Sequence, residues 1–430
     1  MKDGSTFAPP GARANWRAVA LALMLASVVG FAPTSRAADA GNWIGTWTSS
    51  PQPVWSADFP VPIGMPSNLW KQTLRQTARL SIGGSRVRIV LSNEYGKTPL
   101  TIGATEIALA GEGGKIKEGS SHAVTFGGNP TVVIPPGAPA ISDPIDMSVD
   151  PLALVSVSLY LPNVTPLTTI HWDGHETAYI GAGNQVSNVD FDASSKMTQR
   201  AFLSEVMVDA PAGARAVVAF GDSITDGDGS TVDGNDRWPD VLAERLARIQ
   251  GPPVAVLNEG ISGAKVLSDR MGVNALARFD TDVLSQPKAD TVILMMGIND
   301  VGWPGSGLAL NDPEPTAKAI IEGYKQLIAR AHAHGLRIIG ATLTPFGGAF
   351  DGTPFQGYYT PEKEKIRVAL NDFIRSGAFD GVIDFDKVIV DPQKPGYALP
   401  KYGKGDNLHP NPAGYKAMGD AIDLNTMTTN

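Results

Sequence analysis

No cysteine occurs anywhere in the 430 residues. That absence excludes disulfides, thiolate nucleophiles, cysteine-ligated zinc and an acylated N-terminal cysteine, so the fold must rest on its packed core. Positive charge is also in short supply. Lys and Arg number 35 against 43 Asp and Glu, which leaves a net charge of −8 and a pI near 5.3. A surface of that sign repels phosphate backbones and anionic bilayers, which argues against nucleic acid as a general partner. Beyond residue 40 no apolar run approaches the roughly 20 residues that span a bilayer, so no stable membrane anchor is expected in the mature chain. Histidine appears only six times, few enough for each to be weighed individually.

What is present begins with a leader. Lys2, Arg13 and Arg17 precede an apolar stretch from Ala18 to Phe31, and Ser35-Arg36-Ala37 and Ala38-Asp39-Ala40 follow as small-residue cleavage patterns. This is the layout of a secretory signal peptide, and 14 apolar residues are too few for a spanning helix. Residues 1–40 are therefore expected to direct export to the periplasm or exterior, with cleavage at about residues 37–40. The remaining chain would carry a charge of −10.

Two textures follow. Residues 41–210 are rich in turns and alternate like β-strands. Leu74 to Ile82 and Val87 to Ser92, separated by Gly83-Gly84, predict a hairpin; Ala123 to Phe126, Thr131 to Ile134 and Leu154 to Leu161 are further strands. Short strands between Gly, Pro and Asn clusters predict a β-sandwich of jelly-roll type. Trp43, Trp47 and Trp55 suit either stacking on sugar rings or plugging a domain interface. His171-Trp172-Asp173-Gly174-His175 offers three readings: a metal site, the rim of a neighbouring pocket, or incidental histidines in a loop.

From residue 211 to 430, strands alternate with helical patterns. Ala216 to Phe220, Val254 to Leu257, Thr291 to Met296, Leu336 to Leu343 and Val382 to Phe385 read as buried parallel strands. Pro239 to Ile249, Thr316 to His334, Pro361 to Arg375 and Pro412 to Ile422 read as helices. The expected architecture is a flavodoxin-like three-layer α/β/α domain preceded by the β-sandwich.

The chemistry-bearing residues follow the strands. Ser223 stands just past the first strand, Asn258-Glu259-Gly260-Ile261-Ser262-Gly263 follows the second, and Gly297-Ile298-Asn299-Asp300 the third. Asp406-Asn407-Leu408-His409-Pro410 precedes the last helix. In a parallel sheet the first three share one edge, where ligands bind. A serine hydroxyl needs a base to take its proton, and the base needs a third group to fix its tautomer. Among the six histidines only His409 lies beside a turn proline, ahead of a helix, with an aspartate three residues earlier. Ser223, His409 and Asp406 are thus the candidate catalytic residues. Backbone N–H groups of Ser223 and Gly263 and the Asn299 amide are the candidate oxyanion donors.

These four blocks, in their order and surroundings, resemble the signature blocks of the SGNH (GDSL-type) hydrolases. The resemblance covers Ala216 to Ile422. It implies Ser223 as nucleophile, Ser223, Gly263 and Asn299 as oxyanion donors, and His409 as base aided by Asp406. Ile224 stands where the older motif has leucine, an apolar exchange with no bearing on the chemistry. Upstream, Gly41 to Ser50, Leu74-Arg75-Gln76, Ser92 to Gly96 and Ser142-Asp143-Pro144 resemble the extension of XynE-like acylhydrolases and arylesterases. The resemblance implies a serine esterase with no metal or cofactor, acting on a small-molecule or carbohydrate ester. Other readings are a lipase-type acylhydrolase or acyltransferase on the same site, a carbohydrate-binding protein with a silent hydrolase domain, and a metal-dependent phosphohydrolase using Asp222 and Asp226. Oligomeric state leaves no mark on the sequence.

Overall fold

Runs in which every second residue is apolar become strands with one face inward, and the first half of the chain is built from them. In the computed structural model, which describes residues 41–57 and 59–428, this half supplies β1 (Trp43–Thr48), β2 (Gln72–Arg79), β3 (Val87–Ser92), β4 (Leu154–Leu161) and β5 (Leu203–Asp209) among shorter strands. The leader expected at residues 1–40 lies outside the described residues. One antiparallel sheet places β5 between β1 and β3, with Pro139–Ile141 on the far side of β3. A second places β4 between β2 and Ala104–Leu109, and Ala178–Ala182 beside β2. Leu74, Val155 and Val157 of one sheet and Val87, Ile89 and Val206 of the other belong to one apolar cluster.

The hairpin expected across Gly83-Gly84 does not form, because its two arms lie in different sheets: β2 pairs with β4, and β3 with β5. Neither glycine adopts the positive φ that a two-residue hairpin turn of type I′ demands. Their role is close approach. A Cβ on Gly84 would stand 2.8 Å from the Asp209 carbonyl oxygen, so only glycine lets the chain cross from sheet to sheet here.

The second half supplies strands β6 (Arg215–Gly221), β7 (Val254–Gly260), β8 (Ala289–Met295), β9 (Arg337–Ala341) and β10 (Gly381–Ile383). Its helices include α1 (Ser223–Asp226), α2 (Trp238–Leu246), α3 (Ile298–Gly302), α4 (Ala317–Ala333), α5 (Pro361–Arg375) and α6 (Pro412–Ala421). The strands are all parallel and run β7-β6-β8-β9-β10, the order of a flavodoxin-like doubly wound sheet. The apolar run of β6 is explained by this placement. Val217 and Ala219 pack with Trp238 and Leu242 of α2 and Tyr415 of α6 on one face, while Val218 and Phe220 join the core of Ile320 and Leu370 on the other. With both faces covered, no polar alternation survives.

β7 is an edge strand of this sheet, and the first half of the chain covers it. The Val256 N–H donates to Ser81 Oγ at 3.1 Å, and Thr48 Oγ1 donates to the Asn258 carbonyl at 3.3 Å. Gly45 of β1 lies against the Leu257 side chain, with room for no larger residue. Gly41–Asn430 accordingly forms one compact unit. Among the described residues no helix is long and apolar enough to cross a membrane.

Candidate active site

The sheet's carboxyl edge assembles the site. β6 ends at Gly221, and Asp222, in extended conformation, caps α1 by accepting from the Ile224 N–H at 3.1 Å. Ser223 is therefore the first residue of a short helix, and Gly227 at φ 119° stops that helix after one turn. β7 and β8 flank β6, which brings Gly260–Gly263 and Gly297–Asp300 to either side of the serine.

The tail completes the arrangement. Ser223 Oγ lies 2.8 Å from His409 Nε2, and His409 Nδ1 lies 2.6 Å from Asp406 Oδ2, although serine and histidine are 186 residues apart in sequence. The other Asp406 oxygen accepts from the N–H groups of Leu408 and His409, both at 2.9 Å, so the carboxylate is fixed by its own turn. Burial would raise the Asp406 carboxyl, but hydrogen bonding and charge from His409 hold it well below the usual carboxylate range. For His409, burial would lower the imidazole; Asp228 and Asp406 outweigh it and raise it above its ordinary value.

Asp228 and Lys404 did not stand out in the sequence. Asp228 Oδ2 lies 3.4 Å from His409 Nδ1, and Lys404 Nζ bridges Asp228 at 2.5 Å and Asp406 at 3.3 Å. The ammonium lets two carboxylates share one imidazole without open repulsion. The only sequence signal was proximity: Asp228 follows the serine block, and Lys404 lies two residues before Asp406.

The candidate oxyanion donors are held firmly. Gly263 adopts φ 77°, and a Cβ there would meet Met271 Sδ at 2.5 Å and the Trp303 ring at 3.0 Å. Asn299, at the start of α3, donates from Nδ2 to the Ala264 carbonyl at 2.9 Å. Its Oδ1 accepts from Trp303 Nε1 and the Tyr358 hydroxyl, each at 2.9 Å. An indole N–H can only donate, so the amide can face only one way, and its second N–H remains for another acceptor. Trp303 lies four residues after Asn299 on the same helical face, a spacing that helical periodicity makes legible in the sequence. Asp300 ties the same blocks together by accepting from Val266 and Leu267 N–H at 2.8 and 3.0 Å; burial raises its carboxyl to about 6.

The His171–His175 segment lies at the border of this site. His171 Nε2 is 2.9 Å from Asp226 Oδ1, its Nδ1 is 3.1 Å from the Ser50 carbonyl, and Asp173 accepts from Ser262 Oγ at 2.7 Å. Asp173, His175 and Asp228 each place a ligand atom within 4.8 Å of the others, and the Lys404 ammonium already bonds to Asp228. Asp222 and Asp226, the residues a phosphohydrolase would need as free carboxylates, are buried as a helix cap and as partner of His171 and Ser262. The three tryptophans do not form one patch. The Arg88 guanidinium covers Trp43 and that of Arg200 covers Trp47, while Trp55 meets Trp172 and Phe59 edge-on, and Phe59 stacks on Trp303 at 5.6 Å.

Residues 217–422 match the sequence model of the GDSL-like lipase/acylhydrolase family. No curated protein matches the chain. Among solved structures, the chain is similar to the native aryl esterase of M. smegmatis (22% identity, TM-score 0.36, covering 48% of this chain and 95% of that one). It is also similar to a carbohydrate acetylesterase family member from Sinorhizobium meliloti (20%, 0.36, 50% and 96%). A third is a GDSL-like lipase from Bacteroides thetaiotaomicron (19%, 0.35, 48% and 85%).

Proposed function

From the GDSL-type acylhydrolase domain at residues 217–422, we propose that the chain is an exported serine esterase that cleaves carboxylic esters through an acyl-enzyme on Ser223. The observation that carries this reading is the unbroken hydrogen-bonded path from Ser223 Oγ through His409 to Asp406. Ser223 attacks the ester carbonyl while His409 Nε2 takes its proton. The oxyanion is met by the N–H groups of Ser223 and Gly263 and by the free Asn299 N–H. Collapse expels the alcohol, which takes the proton from His409; water then repeats the sequence on the acyl-enzyme and releases the acid. Asp406 stays ionised throughout and stabilises the imidazolium.

The preferred esters in this reading are short-chain acyl groups on aryl alcohols or on sugars. The aromatic series Trp172, Trp55, Phe59 and Trp303, which abuts Gly263, supports a flat leaving group. The residues before the domain are read as a jelly-roll-type β-sandwich of the XynE-like kind. The test is labelling of purified mature protein with a fluorophosphonate, beside assays on aryl acetates and acetylated oligosaccharides. A single adduct on Ser223 and loss of turnover in Ser223→Ala are expected; an active Ser223→Ala protein overturns the assignment.

A further inference from the structure

We infer that the β-rich N-terminal region is part of the hydrolytic machinery: its segment 171–173 holds the Ser262-Gly263 turn in place, with His171 and Asp173 as positioning residues. The inference rests on the esterase reading, since it concerns the geometry of one oxyanion donor.

The Gly263 N–H belongs to the peptide that joins it to Ser262, so its direction is set by the conformation of Ser262. Gly263 itself, at φ 77° and without a Cβ, supplies little stiffness. Ser262 is instead pinned at two atoms. Its N–H donates to Asp226 Oδ2 at 2.8 Å, and its hydroxyl donates to Asp173 Oδ2 at 2.7 Å. The first pin is itself braced from the N-terminal region, because the other Asp226 oxygen meets His171 Nε2 at 2.9 Å and His171 Nδ1 rests on the Ser50 carbonyl. The second pin comes from that region directly.

A third contact reaches the far side of the turn. Gln52 Nε2 donates to the Met271 carbonyl at 2.7 Å, and Met271 packs on Gly263. Gln52 Oε1 accepts from the Trp172 N–H at 2.7 Å, so Gln52 and segment 171–173 act as one brace. Gln52, His171, Asp226 and Ser262 are all buried, where such bonds are not exchanged for water. Misplacing a catalytic group by about 1 Å costs about 10²-fold, so a brace of this kind is felt in turnover. The hydrolase domain supplies the donor; the neighbouring region aims it.

The experiment is a double-mutant cycle on Asp173→Ala and Ser262→Ala in the full mature chain, with rates normalised to fluorophosphonate-titrated sites. Each single variant is expected to lose about tenfold in kcat on an aryl acetate with KM within about twofold, and to bind a boronic acid transition-state analogue about tenfold more weakly. The double variant should fall no further. Asp173→Asn, whose amide oxygen still accepts the Ser262 hydroxyl, should recover most of the loss, which a general structural role would not predict. If Asp173→Ala does not fold, Ser262→Ala breaks the same bond by removing one hydroxyl and gives the same decision. A wild-type protein that neither labels nor turns over overturns the esterase reading and the inference with it. Active wild type with both single variants within twofold of it, or losses that multiply in the double variant, overturns the inference alone.

Discussion

In the C-terminal half, His409 has a carboxylate on Nδ1 at 2.6 Å and a hydroxyl on Nε2 at 2.8 Å. In the N-terminal half, His171 has a backbone carbonyl on Nδ1 at 3.1 Å and a carboxylate on Nε2 at 2.9 Å. Both rings are buried, and each faces an aspartate. The difference lies in the second partner. A hydroxyl can give up its proton, whereas a carbonyl has none to give. His409 is thus placed to accept a proton from its neighbour, whereas each nitrogen of His171 faces an acceptor oxygen. In the reading proposed above, the same side chain serves as a base in one region and as a brace in the other, according to what stands opposite its second nitrogen.

The sharpest way to break this contrast is to remove each ring. His409→Ala should lose at least about 10⁴-fold in kcat on an aryl acetate, whereas His171→Gln should lose about tenfold. Equal losses would erase the distinction. Next in size is Tyr358→Phe, which deletes one of two donors onto Asn299 Oδ1; kcat should fall about tenfold while KM holds, since a single oxyanion donor is worth about 10² to 10³ in all. A change in KM alone would place Tyr358 in substrate binding instead.

The pH profile sharpens the account of His409. Below its folded pKa the ring is an imidazolium and cannot take the serine proton, so kcat/KM falls on the acid side. Against burial, Asp228 and Asp406 raise that pKa above the ordinary value. Asp228→Asn removes one of these carboxylates and leaves Lys404 closer in effect to the ring, so the acid limb should move to lower pH. A limb that stays in place or moves up contradicts this. The smallest expected effect on turnover comes from the sheet interior. Leu159→Ala in β4 should cost about 2–5 kcal/mol by thermal or denaturant unfolding, with kcat per titrated site unchanged.

Legibility in the sequence followed the range over which each signal acts. α5 runs from Pro361 to Arg375 as its pattern predicts, because Thr360 caps it, Pro361 suits its first turn and Gly377 lies just beyond its end. The apolar run of β6 and the Asp406–His409 spacing were equally local. The pairing of β3 was not, since alternation says which residues face inward but not which strand lies alongside. The brace on Ser262 joins residues 89 apart; both segments stand out in the sequence, but nothing in either says that Asp173 and Ser262 pair. Trp303 was within reach of helical spacing from Asn299. Arg75 is a further case: its buried guanidinium bonds to Ser158 and to the carbonyls of Gly114 and Gln185, partners that no spacing announces.

The coverage of β7 constrains how such a chain can be cut or shuffled. Trimmed to its α/β half, it would bare the flank of Val254–Gly260, offering unsatisfied amides to any passing strand and inviting self-association. Expression of that fragment alone is a poor route to a working catalyst, and recombination that exchanged either half would have to carry both sides of the seam.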